Sequence, residues 1–132
     1  MFVLCAVLAA QSASSTRDGV YTADQADQGH TVYTKQCAMC HGDALEGSDP
    51  NPPLAGGQFM QNWSGQTLGD LSIKIQATMP ATSPGSLKPD EIAQLLAYIL
   101  QQNKFPARKT ALPQSVDQLG NIHIETPLGG GQ

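Results

Sequence analysis

Cys37-Ala38-Met39-Cys40-His41 places two thiols three residues apart with a histidine directly after the second, the pattern that attaches a c-type haem. Two cysteines at this spacing each add across one vinyl group of a haem. The short backbone between them then brings His41 under the ring, where its imidazole ligates the iron. A bare Cys-x-x-Cys also suits a redox dithiol or half a zinc site. A dithiol, however, has no use for the following histidine, and zinc needs a second pair of ligands. No second pair exists, because the remaining cysteine is Cys5 and the other histidines, His30 and His123, stand alone. The cofactor expected is one covalent haem c per chain.

A sixth iron ligand must come from elsewhere in the chain. Thioether sulfur opposite imidazole favours ferrous iron and raises the potential, so methionine is the first choice. Of the four methionines, Met1 lies in the leader described below and Met39 is tethered between the attachment cysteines. Met79 ends a helical pattern and precedes Pro80 in a Pro/Gly-rich segment. Met60 lies between Phe59 and Trp63, a setting that suits a gap-filling core side chain. Met79 is therefore taken as the ligand, with Met60 and the tail residue His123 as the alternatives.

The elements that position these groups read as helices. Thr22-Ala23-Asp24-Gln25 has the capping-box form, opening a helix that runs into the haem motif with Gly29, Tyr33 and Cys37 four apart on one face. A glycine inside a helix costs about 1 kcal/mol against alanine, so Gly29 marks a close crossing by another helix. A second helix starts at Thr67-Leu68-Gly69-Asp70, buries Leu68, Leu71 and Ile75, and stops at Met79-Pro80. A third has Pro89 in its first turn, Asp90 and Glu91 at its positive end, and Ile92, Leu95, Leu96 and Ile99 at helical spacing up to Asn103. Residues 42–57 and 80–89 are Gly/Pro-rich and read as loops that wrap a flat cofactor. The tail after Phe105 carries Leu119, Ile122 and Ile124 as candidates to pin it to the body. No strand alternation of useful length and no internal repeat occurs.

Residues 2–10 are apolar and lead into Gln11-Ser12-Ala13, which reads as a secretory leader over residues 1–15, although no Lys or Arg precedes the run. The run is too short to span a bilayer, which takes about 20 residues, so no stable membrane insertion is expected. Removal of the leader takes Cys5 with it and puts the protein in the periplasm. Residues 16–104 then form one domain and 105–132 a partly packed tail. The chain has 132 residues and a net charge of −4, which makes nucleic acid an unsuitable partner.

On these residues the chain resembles the small class I cytochromes c, and more narrowly the cytochromes and cytochrome domains associated with PQQ-dependent alcohol dehydrogenases. Gly29 and Tyr33 match the family's glycine and aromatic residue ahead of the haem motif. Leu95 and Tyr98 match their partners on the C-terminal helix, which implies that the two helices cross at Gly29. Pro53-Leu54 resembles the pair whose proline carbonyl accepts the ligand histidine's Nδ1 proton and whose leucine packs on the ring. The narrower likeness rests on Trp63, Thr67-Leu68, Asp70-Leu71, Met79-Pro80, Gly85-Ser86-Leu87 and Ala97-Tyr98-Ile99-Leu100, followed by a proline-bearing tail. It places Trp63 at the cofactor.

The resemblance implies an all-α class I cytochrome c fold of three to five helices around one haem ligated by His41 and Met79. It further implies an exported one-electron carrier, not itself an enzyme. The implied partners are a PQQ-dependent dehydrogenase as donor and a terminal oxidase or another cytochrome as acceptor. Two other readings stand beside it: a haem enzyme or gas- or peroxide-binding sensor whose sixth position opens, and a tightly held dehydrogenase subunit.

Overall fold

The computed structural model describes residues 15–128. The leader expected over residues 1–15 falls outside this range except for Ser15, which is buried and caps a 3-10 turn at Thr16–Asp18. Six α-helices follow: α1 Ala23–Gln36, α2 Ala38–His41, α3 Gly57–Trp63, α4 Leu68–Thr78, α5 Pro89–Gln102 and α6 Val116–Leu119. Among the described residues there are no strands, only isolated bridges, two of which join His123 to Ser15 and to Thr67. The all-α expectation holds. The helix number exceeds three to five because α2 and α6 are single turns, which carry no periodicity to read.

The three long helices begin where their caps predict. Thr22 Oγ1 accepts from the Gln25 N–H at 3.1 Å, and Thr67 and Asp70 close a reciprocal capping box. Gln25 does not complete the first box. Its amide reaches across to the tail, accepting from Leu112 N–H at 2.8 Å and donating to Leu112 O at 3.2 Å, both buried. Lys88, a poor cap by residue type, is served by Glu91, whose carboxylate accepts from the Lys88 N–H at 3.0 Å.

Helix α5 is the centre of the molecule. Leu95 through Leu100 are six consecutive buried residues, so the helix is covered on every side there. Its main neighbour is α1. At the crossing, a Cβ on Gly29 would overlap the Gln94 carbonyl outright and stand 3.0 Å from Tyr98 Cβ. The crossing expected at Gly29 is present, and Tyr98 is part of it. The backbone wall is Gln94, however, with Leu95 buried one residue on. Tyr98 also stacks on His30, ring centroids 4.8 Å apart and 12° from parallel, and lies 5.4 Å from the Tyr33 ring.

After α5 the chain turns sharply. Lys104 N–H donates to Gln101 O and Phe105 N–H to Leu100 O, both at 3.1 Å, with Lys104 at φ 67. This is the Schellman ending that glycine usually supplies. A left-handed position costs a residue with a Cβ about 1–2 kcal/mol, so the sequence accepts a penalty to carry lysine there.

The tail then wraps the body. Leu112, Leu119, Ile122 and Ile124 are buried, as expected for the last three. Helix α6 lies on α4 so tightly that a Cβ on Gly69 would meet Gly120 Cα at 2.7 Å. Leu68 N–H donates to Ile122 O, and Gly65 N–H to Ile124 O, each at 2.9 Å.

Candidate haem site

Helix α1 delivers the first cysteine. Cys37 caps its C-terminus, donating its N–H to Tyr33 O at 2.9 Å, and the one-turn helix α2 carries the chain on to His41. Tyr33, buried beneath, donates its hydroxyl to Gly42 O at 2.5 Å and so anchors the exit from the motif. Burial, with Cys37 and nearby acids adding to it, pushes the Tyr33 phenol well above its ordinary range.

Cys37 and Cys40 are free thiols, Cys37 half-buried and Cys40 exposed. Burial, reinforced by the neighbouring Cys40, pushes the Cys37 thiol up to about 11. Met39 between them is 98% exposed and packs on nothing.

His41 is buried and oriented. Its Nδ1 lies 2.7 Å from Pro52 O. A carbonyl only accepts, so Nδ1 carries the proton and Nε2 keeps its lone pair for a metal. The bond expected from Pro53 therefore comes from the residue before it. In the run Pro52-Pro53 both carbonyls are available, and the loop's closure selects between them: Gly47 N–H donates to His41 O at 2.7 Å, and Leu54 N–H to Leu45 O at 2.9 Å. Leu45, fully buried, holds φ 60 to make this turn.

Asn103, not singled out by sequence reading, supports the same loop from the end of α5. Its Oδ1 accepts from Gly56 N–H and its Nδ2 donates to Leu54 O, both at 3.0 Å. An asparagine at a helix C-cap was the one signal available, and it points to the cap rather than to a partner 49 residues away.

Leu54, Met60, Trp63 and Met79 are each half-buried at the margin of the core, together with Cys37. Met79 caps the C-terminus of α4, donating its N–H to Ile75 O at 2.9 Å, and precedes an exposed loop over residues 81–86. Met60 has the same half-buried standing on α3. His123 is exposed at its side chain and tied down by its backbone, and His30 is exposed against Tyr98. Among the described residues no group of three or more His, Cys, Asp or Glu gathers as a metal cluster. Unbridged thiols, a histidine with its Nε2 free, and half-buried apolar side chains on the core margin fit a covalently attached porphyrin.

The family model described as cytochrome c oxidase, cbb3-type, subunit III matches residues 24–99, more than half of the chain. The chain belongs to this cytochrome c family. The match runs from the first turn of α1 to the end of the crossing on α5 and takes in the whole attachment motif. As a class I cytochrome c, the protein carries covalently bound haem and serves electron transfer. Among solved structures, the cytochrome is similar to a chain of the sulfane dehydrogenase SoxCD from Paracoccus pantotrophus, with TM-score 0.53 and 22% identity. That likeness covers 74% of this chain and 52% of the other, so the cytochrome spans about half the neighbour's length and shares its fold. No curated protein matches the chain. No helix among the described residues is long and apolar enough to cross a membrane.

Proposed function

We propose that the protein is an exported, periplasmic one-electron carrier with a single low-spin haem c held by Cys37 and Cys40 and ligated by His41 and Met79. The observation that carries this reading is the Nδ1–Pro52 hydrogen bond, which commits one imidazole nitrogen to the backbone and leaves the other as a fixed ligand. The haem supplies a reversible one-electron couple; the chain binds, orients and shields it. Leu54, Trp63 and Met60 lend apolar surface, and Tyr33 and Asn103 hold the two ends of the loop that follows His41. No group is asked to act as general acid or base. Met79 is preferred to Met60 because it ends a rigid helix and leads into an exposed loop, where a side chain is free to face a ring.

The donor we propose is a PQQ-dependent alcohol dehydrogenase, and the acceptor a terminal oxidase or another cytochrome. Met79→Ala is expected to abolish the near-infrared sulfur-to-iron band of the ferric protein and lower its potential, while Met60→Ala keeps the band. The reverse pattern moves the ligand to Met60. Retention of the band in both variants removes methionine ligation at these positions. Stopped-flow reduction by the host's own dehydrogenase, compared with reduction of an unrelated cytochrome c, tests the donor. Equal rates would sink that assignment.

A further inference from the structure

Three segments meet at one end of the molecule: residues 15–19, 104–109 and 125–128. Arg17 Nε donates to Thr126 O at 2.7 Å, Tyr21 hydroxyl to Phe105 O at 2.7 Å, and Arg108 N–H to Tyr21 O at 2.7 Å. The Arg108 side chain lies over Gly19, where a Cβ would stand 2.8 Å from its Cδ. These segments hold four cations, Arg17, Lys104, Arg108 and Lys109, and two acids, Asp18 and Glu125. The rest of the chain holds three cations and nine acids. An acidic protein thus gathers most of its positive charge in one place.

That place has a shape. A cleft of about 260 Å³ is lined by Arg17, Lys104, Phe105, Pro106, Pro127 and Leu128. Beside the two cations its lining residues are Phe105, Pro106, Pro127 and Leu128, and Leu128 at its side is 74% exposed. Arg17 is loosely paired with Glu125 at 3.9 Å, both side chains more than a third exposed, so the pair is screened and leaves the guanidinium accessible. Lys104 occupies the left-handed position that glycine fills at lowest cost, so the turn itself does not call for a cationic side chain there.

We propose that this end of the protein docks on an anionic phospholipid surface, with the phosphate groups met by Lys104, Arg17, Arg108 and Lys109 and Leu128 entering the headgroup layer. Cationic side chains next to an exposed apolar residue are the combination that interfacial binding uses. A purely acidic protein segment would satisfy the cations but offer the exposed Leu128 no apolar layer to enter. The proposal does not depend on which residue is the sixth iron ligand or which enzyme is the donor.

The test is sedimentation of the haem-loaded protein, as purified from its host, with vesicles of phosphatidylglycerol and phosphatidylcholine against vesicles of phosphatidylcholine alone. A preparation that keeps apolar N-terminal residues binds both, so the quantity read is the difference between them. Preference for the anionic vesicles is expected at low salt and should vanish at about 0.5 M salt, where the Debye length falls to a few ångströms. Lys104→Gly should weaken that binding about fivefold, the effect of one cation at a charged surface. The same variant should melt no lower than the parent, because glycine suits the turn. Lys35→Gln, which removes an equal charge from α1, should change binding less than twofold.

Absence of any preference for anionic vesicles overturns the proposal. So does an equal effect of Lys104→Gly and Lys35→Gln, which would reduce it to net charge. Binding to a polyglutamate peptide without binding to vesicles reassigns the face to an acidic protein.

Discussion

The crossing of α1 and α5 and the loops around His41 hold the same site from two sides by different physics. At the crossing, a glycine lets one helix lie against the backbone of another, and Tyr33 and Tyr98 pack ring to ring across the seam. Little there needs a cofactor. The loop side is tied by scattered hydrogen bonds, among them His41 to Pro52, Asn103 to Leu54 and Gly56 to Asn103, with half-buried apolar residues on the core margin. Helix packing is self-sufficient because its apolar surface is already covered. On the loop side Leu54, Met60, Trp63 and Met79 are only half-buried, apolar surface that a flat apolar group would cover.

The largest test of that contrast removes the attachment. In Cys37→Ser/Cys40→Ser the pigment should leave completely on acid-acetone extraction, whereas the parent polypeptide retains it with a mass increased by one haem. Hydrogen exchange of the same variant should rise first in residues 42–56 and 79–87 and last in α1 and α5. Uniform exchange throughout would erase the distinction between the two sides.

Next, Gly29→Leu strikes the crossing at backbone. The Gln94 carbonyl cannot rotate out of the way as a side chain would, so the cost is expected at the upper end of overpacking, about 3 kcal/mol, read from denaturant unfolding of the holo-protein. A variant as stable as the parent would show that the helices separate cheaply.

Gln25→Leu addresses the attachment of the tail. It leaves the buried N–H and C=O of Leu112 without their partners, with an expected loss of about 2 kcal/mol. Faster proteolysis after residue 105 should accompany it, while the potential stays near the parent's because the haem loops are not involved.

The smallest effect belongs to Tyr33→Phe, which deletes the hydroxyl bond to Gly42 O at about 1 kcal/mol. Its pH dependence is more informative. Tyr21, Tyr33 and Tyr98 are all held above the ordinary value of 10 by burial. Below that pH folded and unfolded chains are both neutral at these groups. Above it the unfolded chain releases protons that the folded one keeps, so stability should fall as pH rises through 10. The variant should show a shallower fall.

The side of the molecule governed by packing was the legible one. Caps at Thr22 and Thr67 and a first-turn proline at Pro89 marked three helices, and Gly29 announced the crossing, because each is a local signal with one physical cause. Helix α3 left no such mark: it starts at Gly56-Gly57 with no side-chain cap. The choice of Pro52 over Pro53 depended on a loop closed by Leu45 at positive φ, which no spacing reveals. Asn103 and Gln25 were readable as a helix end and a cap, yet both spend their amides on distant backbone. Polar side chains that bridge far segments give no periodicity, and a resemblance to known cytochromes carries a motif more reliably than its register.

The bridge between Ser15 and His123, and the bond from the Ser15 hydroxyl to Glu125, bring the two ends of the domain side by side. A unit whose entry and exit share one address is a cassette. Such a unit suits insertion into a loop of a larger polypeptide, and its neighbouring ends suit circular permutation for the same reason. Joining Glu125 to Ser15 through a short glycine linker and reopening the chain in the exposed segment 109–111 would preserve the haem motif and both of its flanking loops in sequence.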